Sequence, residues 1–317
     1  MAAGRLLHVG NVVVDLVLDV PALPERGGDV LATRSARAPG GGFNVMAAAA
    51  RQGLRVAYAG AHGTGPFGDL ARTGMREAGI EVLHPARAAL DTGFVVAVVD
   101  DGGERTFLTS PGAEATLTGR DLDAVTTGAG DIVCASGYGM LHASNRVALA
   151  GWLPRIPGDV PLVFDPGPLV GQIPAEVMRA VLPRVDWWTC NAREAAVVTG
   201  HTDAIMAAAA LLEVTGRHGV LVRTGPGGCV VAQRGGPPEV VPGFPVEAVD
   251  MNGAGDAHTG VFVAALAAGS TVVDAARTAN AAAALAVTVR GPATAPAAEE
   301  LSAFLRQRGL PAWSHRT

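Results

Sequence analysis

With 317 residues, 49% of them hydrophobic and 17% charged, the chain is long enough for a substantial core and reads as globular. A net charge of −5 with no basic cluster argues against nucleic acid or an anionic membrane as the main partner, which leaves a small molecule as the expected ligand. All 24 Lys+Arg positions are arginine, so the Walker A lysine, Schiff-base chemistry and pyridoxal phosphate attachment are excluded, and any phosphate must be held by backbone amides, arginine or metal.

The first stretch, MAAGRLLHVGNVVVDLVLDV, is interrupted by His8, Asp15 and Asp19 and lacks the unbroken apolar core of a secretion signal. The longest charge-free run, Ala257 to Val273, is rich in Gly, Thr and Ser and too short for a membrane span. Cys134, Cys190 and Cys229 lie in apolar strand-like runs without CxxC spacing, and a cytoplasmic location is expected. The histidines show no metal-ligand spacing, so no zinc site is expected.

In chain order, VVVDLVLDV leading to DVLATRSAR reads as a pair of strands, followed by the helical stretch NVMAAAARQG and the strand RVAYAG. TGFVVAVV, a DDGGE turn and RTFLTS read as a second strand pair. Strand-like DIVCASG, PLVFDP, DWWTCN and VLVRTG then alternate with helical ASNRVALAGWL, AEVMRAVLPR and TDAIMAAAALLEVTGRHG. Such alternation predicts an α/β fold, doubly wound, with a mostly parallel sheet and helices on both faces. The two β stretches that break the rhythm, residues 12–37 and 92–110, predict a small accessory sheet that covers a site as a lid. From Glu239 the order is strand, GAGD, two helices, a RGPATAP loop and a terminal helix.

Two glycine motifs stand out. Gly63 to Gly68, GTGPFG, satisfies the dinucleotide pattern GxGxxG after a strand and before a helical run, which keeps an NAD-binding dehydrogenase as one alternative. Pro66 removes a backbone donor from that loop, and no acidic residue ends a strand at the expected distance, which weakens it. The second motif is DMNGAGDAHTG, Asp250 to Gly260, ahead of the apolar run VFVAALAAG. Glycine lowers helix stability by roughly 1 kcal/mol relative to alanine, so Gly253-Ala254-Gly255 at a helix start suggests a need for exposed N–H groups and the positive end of the dipole. Asp256 follows directly, where its carboxylate can accept the proton of an attacking hydroxyl, or else simply cap the helix.

PGGGFNVMAAAARQG, the NxxE of CNAREAAVVTG, the VRTGPGG turn and DMNGAGDAHTG followed by AAAALAVTVRGPATAP occur in one order from Gly10 to Pro296. This ordered set resembles the ribokinase family of PfkB-type carbohydrate kinases. The resemblance implies one ribokinase-like α/β kinase domain over residues 1–317 with the two lid segments inserted, ATP and magnesium (Mg2+) as cofactors, and transfer of the γ-phosphate to a hydroxyl of a sugar or nucleoside. It makes Asp256 the catalytic base, with Gly253, Ala254 and Gly255 as the anion site. Asn191 and Glu194 would organise magnesium through water, an oxygen set that suits this ion. Thr224, Gly225 and Gly227 would lie near the phosphates or ribose and Asn280 near the adenine, while Asp250 becomes a candidate ligand of a monovalent cation, potassium (K+).

On the acceptor side the resemblance selects Gly40, Gly41 and Asn44. Asp15, an acid in an apolar strand, is costly to bury without a polyhydroxylated partner, and Arg105 in the second lid segment is in reach of a substrate oxygen. Asn252 before GAGD and the GNVVVD of residues 10 to 15 look like the adenosine-kinase branch, whereas the compact length and short lid look like the sugar-kinase branch and favour a sugar. A non-catalytic ligand-binding protein on the same fold is a further alternative, against which Asp256, both glycines and NxxE argue. Exposed lid edges invite pairing into a homodimer.

Overall fold

The computed structural model describes residues 4–215 and 217–313. Residues 1–3 of the first apolar stretch, Gly216 of the helical stretch expected over 202–219, and the last four residues of the expected kinase domain lie outside the described residues. The amino-terminal part runs β1 (Arg5–His8), β2 (Val12–Asp19), β3 (Arg34–Gly41), α1 (Gly42–Arg51), β4 (Arg55–Tyr58), α2 (Pro66–Glu77), β5 (Glu81–Val82), β6 (Phe94–Val99) and β7 (Arg105–Ser110). The middle follows as α3 (Gly119–Asp123), β8 (Ile132–Ser136), α4 (Ala143–Trp152), β9 (Leu162–Asp165), α5 (Ala175–Val181), β10 (Trp187–Asn191), α6 (Ala192–Thr199) and α7 (Ala204–Thr215). The last third comprises β11 (Gly219–Arg223), β12 (Gly228–Gln233), β13 (Glu239–Pro242), α8 (Ala254–Ala267), α9 (Val272–Ala286) and α10 (Ala298–Arg306).

Nine strands form one sheet in the order β13-β12-β11-β10-β9-β8-β1-β4-β5, parallel except for the two pairs that involve β12. Both faces are covered, which is why the central strands read as nearly continuous apolar runs. Their residues alternate between two cores: Leu6, Cys134, Val163, Trp187 and Leu221 pack with α1, α8 and α9, whereas Leu7, Val133, Phe164, Trp188 and Val222 pack on the opposite face. Small side chains set the helix spacing on the first face. At Gly260 of α8 a Cβ would lie 2.3 Å from the Val45 carbonyl and 2.7 Å from Ala48 Cβ, so α1 rests on α8 at that point. The fold is the predicted α/β doubly wound class, and the parallel strands bring Asp165, Asn191 and Arg223 to one carboxyl-terminal edge, the edge at which open α/β sheets bind ligands.

A second sheet has the order β3-β2-β6-β7. Its first strand pair differs from the expected one: DVLATRSAR enters the sheet only at Arg34, and β3 continues through the glycines to Gly41. Register explains the shift, since Val13 faces Gly40 and Val12 faces Gly41 across the antiparallel pair. The glycine-rich stretch is therefore the last part of a strand and delivers the chain directly into α1. β2 also pairs in parallel with β6, which places Asp15 in the middle of the small sheet.

Candidate active site

The start of α8 is built around glycine. Gly253 sits at φ +74, and a Cβ there would lie 1.8 Å from the Pro292 carbonyl, so no other residue fits. No side chain caps the helix. Ala254 N–H reaches Met251 O at 3.4 Å and Ala257 N–H reaches Gly253 O at 2.8 Å, while the N–H groups of Gly255 and Asp256 make no hydrogen bond among the described residues. Two donors and the positive helix end thus face outward together. The Asp256 carboxylate does not cap; it accepts a hydrogen bond from Asn44 Nδ2 at 3.0 Å. Burial pushes its pKa up to about 6, opposed by the Asn44 hydrogen bond and by Arg223 and reinforced by Asp165. A carboxylate so placed can take up a proton near neutral pH.

The small sheet and α1 supply the other wall. Asp15 projects from β2 against Gly40, where a Cβ would fall 2.3 Å from the carboxylate, so only glycine leaves room for it. Burial raises the Asp15 pKa to about 7, with the nearby Asp256 charge adding to the effect. Gly41, at φ +61, turns the chain into α1. Three residues on, Asn44 is buried with its Oδ1 unpartnered. Asp15, Gly40, Asn44 and Asp256 therefore lie in one cluster, with Gly41 next to Gly40 in the chain, and Asn44 keeps an unpaired acceptor.

Asn191 and Glu194 form a reciprocal capping box at the start of α6, with Asn191 Oδ1 accepting from Glu194 N–H and Glu194 Oε2 accepting from Asn191 N–H, both at 2.8 Å. Burial and the Asp165 charge raise the Glu194 pKa, against the pull of Arg223, so a cation beside it would be welcome. Glu194 Oε1 makes no hydrogen bond among the described residues, which leaves one carboxylate oxygen for a hydrated ion. Among the described residues no group of three or more His, Cys, Asp or Glu side chains could hold a metal by itself, so a magnesium ion would take most of its ligands from phosphate and water.

Sequence reasoning singled out none of Arg223, Thr189 and Thr259. Arg223 Nη1 donates to Asp165 Oδ2 at 3.1 Å, Thr189 Oγ1 at 2.6 Å and Thr259 Oγ1 at 3.1 Å, and Nη2 lies 3.8 Å from Glu194 Oε2. The available signal was a charged residue closing the apolar strand GVLVR. Tyr138, after β8, is a further residue of this region: burial and then the carboxylates of Asp256, Glu194, Asp165 and Asp15 push its hydroxyl up to about 12.

Beyond Gly255 opens a largely apolar cavity of about 540 Å³, lined by Pro226, Phe244, Val246, Ala283 and Val287 together with Asn191, Arg223, Gly225 and Asn280. Thr224 and Gly227 flank Gly225 in the turn, whose Thr224 N–H donates to Gly228 O at 2.8 Å. Asn280 Nδ2 donates to the carbonyls of Val241 and Pro242, which turns its Oδ1 toward His258 Nε2 at 3.1 Å. That orientation assigns the ring proton to Nε2, and burial lowers the His258 pKa to about 3, so the ring is neutral.

Two expected ligand-binding side chains are instead paired with each other. Arg105 forms an ion pair with Asp250, whose carboxylate also accepts from the N–H groups of Asn252 and Gly291, so the guanidinium is the cation that Asp250 holds in this structure. Both line a second cleft of about 540 Å³ between the small sheet and the loop around Gly291. The GTGPFG glycines lead into α2, but the Phe67 and Gly68 N–H groups are already taken by Asp91 at 3.1 and 2.7 Å. Those two amides are closed to a pyrophosphate, which weakens the dehydrogenase alternative. No single helix among the described residues is long and apolar enough to cross a membrane.

Comparison with known proteins shows the family. Residues 4–299 match the model of the pfkB family carbohydrate kinase. An uncharacterized sugar kinase of Escherichia coli K12, YegV, is 30% identical over 304 residues, covering 93% of this chain and 92% of the relative. An ATP-dependent ribose-1-phosphate kinase of Halopiger xanaduensis is 31% identical over 319 residues, covering 96% and 99%. The crystal structure of a ribokinase from Thermotoga maritima superposes with a TM-score of 0.81 at 26% identity, over 95% of this chain and 99% of that one. With its fold, its ordered motifs and these relatives in agreement, the chain belongs to the pfkB family of carbohydrate kinases.

Proposed function

We propose that the protein transfers the γ-phosphate of ATP to a hydroxyl of a small sugar held between Asp15 and Asp256. As a family member it is an ATP-dependent kinase acting on a sugar or nucleoside hydroxyl. The observation that carries the residue-level reading is the meeting of Asp256, tethered by Asn44, with the unpaired N–H groups of Gly255 and Asp256 at the start of α8. In this reading the acceptor hydroxyl lies between Asp15, Asn44 and Asp256, and the nucleotide extends from the Gly253–Gly255 amides into the apolar cavity toward Asn280. Asp256 accepts the hydroxyl proton as the oxygen attacks the γ-phosphorus, the bond to the bridging oxygen breaks, and the electron pair leaves with ADP. Backbone donors and the helix dipole steady the charge on the transferring group. Magnesium, held through water by Asn191 and Glu194, would neutralise phosphate charge.

The four-stranded sheet would act as a lid over the acceptor, excluding water that otherwise competes for the phosphoryl group. Its edge strand β7 exposes Phe107 and Leu108, at 56% and 60% exposure, which supports pairing with a second copy. The test is ADP release and thermal shift with magnesium-ATP and ribose, fructose, ribose-1-phosphate, 2-keto-3-deoxygluconate and adenosine. A bound acceptor at 100 times its Kd raises stability by about 2.7 kcal/mol. Turnover with a sugar above that with adenosine is expected. Turnover with adenosine alone selects the nucleoside reading, and no turnover with any acceptor overturns both.

A further inference from the structure

The chain contains no lysine, and one arginine stands beside the start of α8. Arg223 ends β11 with its side chain only 13% exposed. Its three hydrogen bonds all leave from Nη1, to Asp165, Thr189 and Thr259. A guanidinium has five donors, and here Nε and Nη2 make no hydrogen bond among the described residues, with Nη2 only approaching Glu194 at 3.8 Å. That open edge is aimed at a specific place. A Cβ on Gly255 would come within 3.5 Å of both Nε and Nη2, so the guanidinium stands directly beside the helix start whose N–H groups are unpaired. Arg223 also lines the cavity assigned to the nucleotide.

The contacts of Arg223 are one-sided. Arginine frequently engages a carboxylate with two nitrogens in a bidentate fork. Arg223 instead crowds three oxygens around Nη1, an arrangement that fixes the orientation of the plane and leaves its other edge for a ligand. Asp165, Glu194 and Asp256 surround it, and His258 is neutral, so among these side chains it is the only positive charge. An anion arriving at Gly255 meets that charge edge-on.

We propose that Arg223 is a catalytic residue, donating from Nε and Nη2 to non-bridging oxygens of the transferring phosphoryl group. This rests on the kinase reading above. As the acceptor oxygen bonds to the γ-phosphorus and the bridging bond to ADP breaks, the guanidinium stays with the transferring group, while the hydroxyl proton goes to Asp256. Positive side chains placed this way accelerate phosphoryl transfer by about 10³ to 10⁵, and single charge-stabilising donors by about 10² to 10³.

The test uses the full chain with its best acceptor. Arg223→Gln, folded by circular dichroism, is expected to lose at least about 10² in kcat with the Kd values of ATP and ADP within about threefold. Arg223→Lys keeps the charge without the fork and is expected to fall in between, and guanidinium ion added to Arg223→Ala is expected to restore part of the rate. Asp165→Asn, which loosens the anchor alone, is expected to cost less than Arg223→Gln. A folded Arg223→Gln or Arg223→Lys with parental kcat overturns the proposal, as does equal loss of nucleotide affinity and kcat. Should these variants not fold, the parent protein crystallised with ADP and aluminium fluoride decides: Nε or Nη2 within hydrogen-bond distance of the fluoride supports the role, and neither within reach overturns it. Absence of turnover in the parent protein would instead defeat the kinase reading.

Discussion

Replacing Gly260 by alanine tests how the two halves of the site are held together. The residue lies on α8 one turn beyond Asp256, where the new Cβ would fall 2.3 Å from the Val45 carbonyl of α1. Real Cβ contacts stay beyond 3.0 Å, so α1 must retreat by at least about 0.7 Å, and a backbone carbonyl in a helix cannot swing aside. Asn44 precedes Val45 on the same helix, and its hydrogen bond to Asp256, now 3.0 Å, lengthens with that retreat. Two stability effects compete: alanine gains roughly 1 kcal/mol of helix propensity, while overpacking costs about 1 to 3 kcal/mol. We expect the clash to win, lowering Tm by a few degrees at roughly 2–4 °C per kcal/mol for a large domain. A misplacement near 1 Å can cost about 10² in rate, so kcat should fall by about 10- to 100-fold. Nucleotide affinity, read by calorimetry, should stay within about threefold, because the cavity lies on the other side of α8. A variant that is as stable as the parent and retains parental kcat would refute the argument that the α1–α8 contact positions Asp256.

The remaining predictions concern each wall of the site and its ionisation. Asp15→Ala should raise the acceptor KM by about 5- to 150-fold, the loss of one to three kcal/mol of hydrogen bonding, and leave the ATP KM nearly unchanged; a rise in the ATP KM alone would reverse the two half-sites. Gly253→Ala should lower both Tm and kcat sharply, because φ +74 and the Pro292 carbonyl at 1.8 Å leave no place for a side chain; unchanged Tm would contradict that geometry. Asp256 must be ionised to accept a proton, so kcat/KM should rise with pH through about 6 and level off above it. Its raised pKa, like that of Asp15 near 7, means that the folded state binds protons which the unfolded state has lost, so the contribution of both groups to stability is full below about pH 4 and declines as pH rises through 6 to 7. Replacing both by asparagine should flatten that part of the Tm profile, and an unchanged slope would locate its origin elsewhere.

What could be read from the sequence was local. GAGD, PGGGFN and NxxE each bring their residues together within one turn of chain, and backbone conformation alone dictates glycine at 253 and 41, so the expected residues meet where the motif suggests. The apolar strands announced a sheet covered on both faces. What escaped was set by register across the sheet. Arg223 reaches Asp165 and Thr189 only because β9, β10 and β11 are neighbours in parallel register, and nothing along the chain links positions 58 and 34 residues apart. The Arg105–Asp250 pair, 145 residues apart, likewise consumes two side chains that in sequence looked free for ligands. GTGPFG misled for the same reason, since Asp91, 23 residues beyond Gly68, fills the anion position. The onset of β3 was missed because strand pairing with β2, and not the β-propensity of DVLAT, determines where that strand begins.

The central claim is that Asp256 is the general base at a helix start left open for phosphate. Asp256→Asn keeps the shape of the side chain and the Gly253–Gly255 backbone but cannot accept the proton, and loss of a general base costs about 10² to 10⁴ in rate. Measured with the best acceptor of the panel, kcat should fall by that amount while calorimetry shows ATP binding as tight as in the parent, or tighter once the carboxylate no longer repels the phosphates. An Asp256→Asn protein that keeps more than about a tenth of the parental kcat, well outside the usual cost of losing a base, would contradict the account.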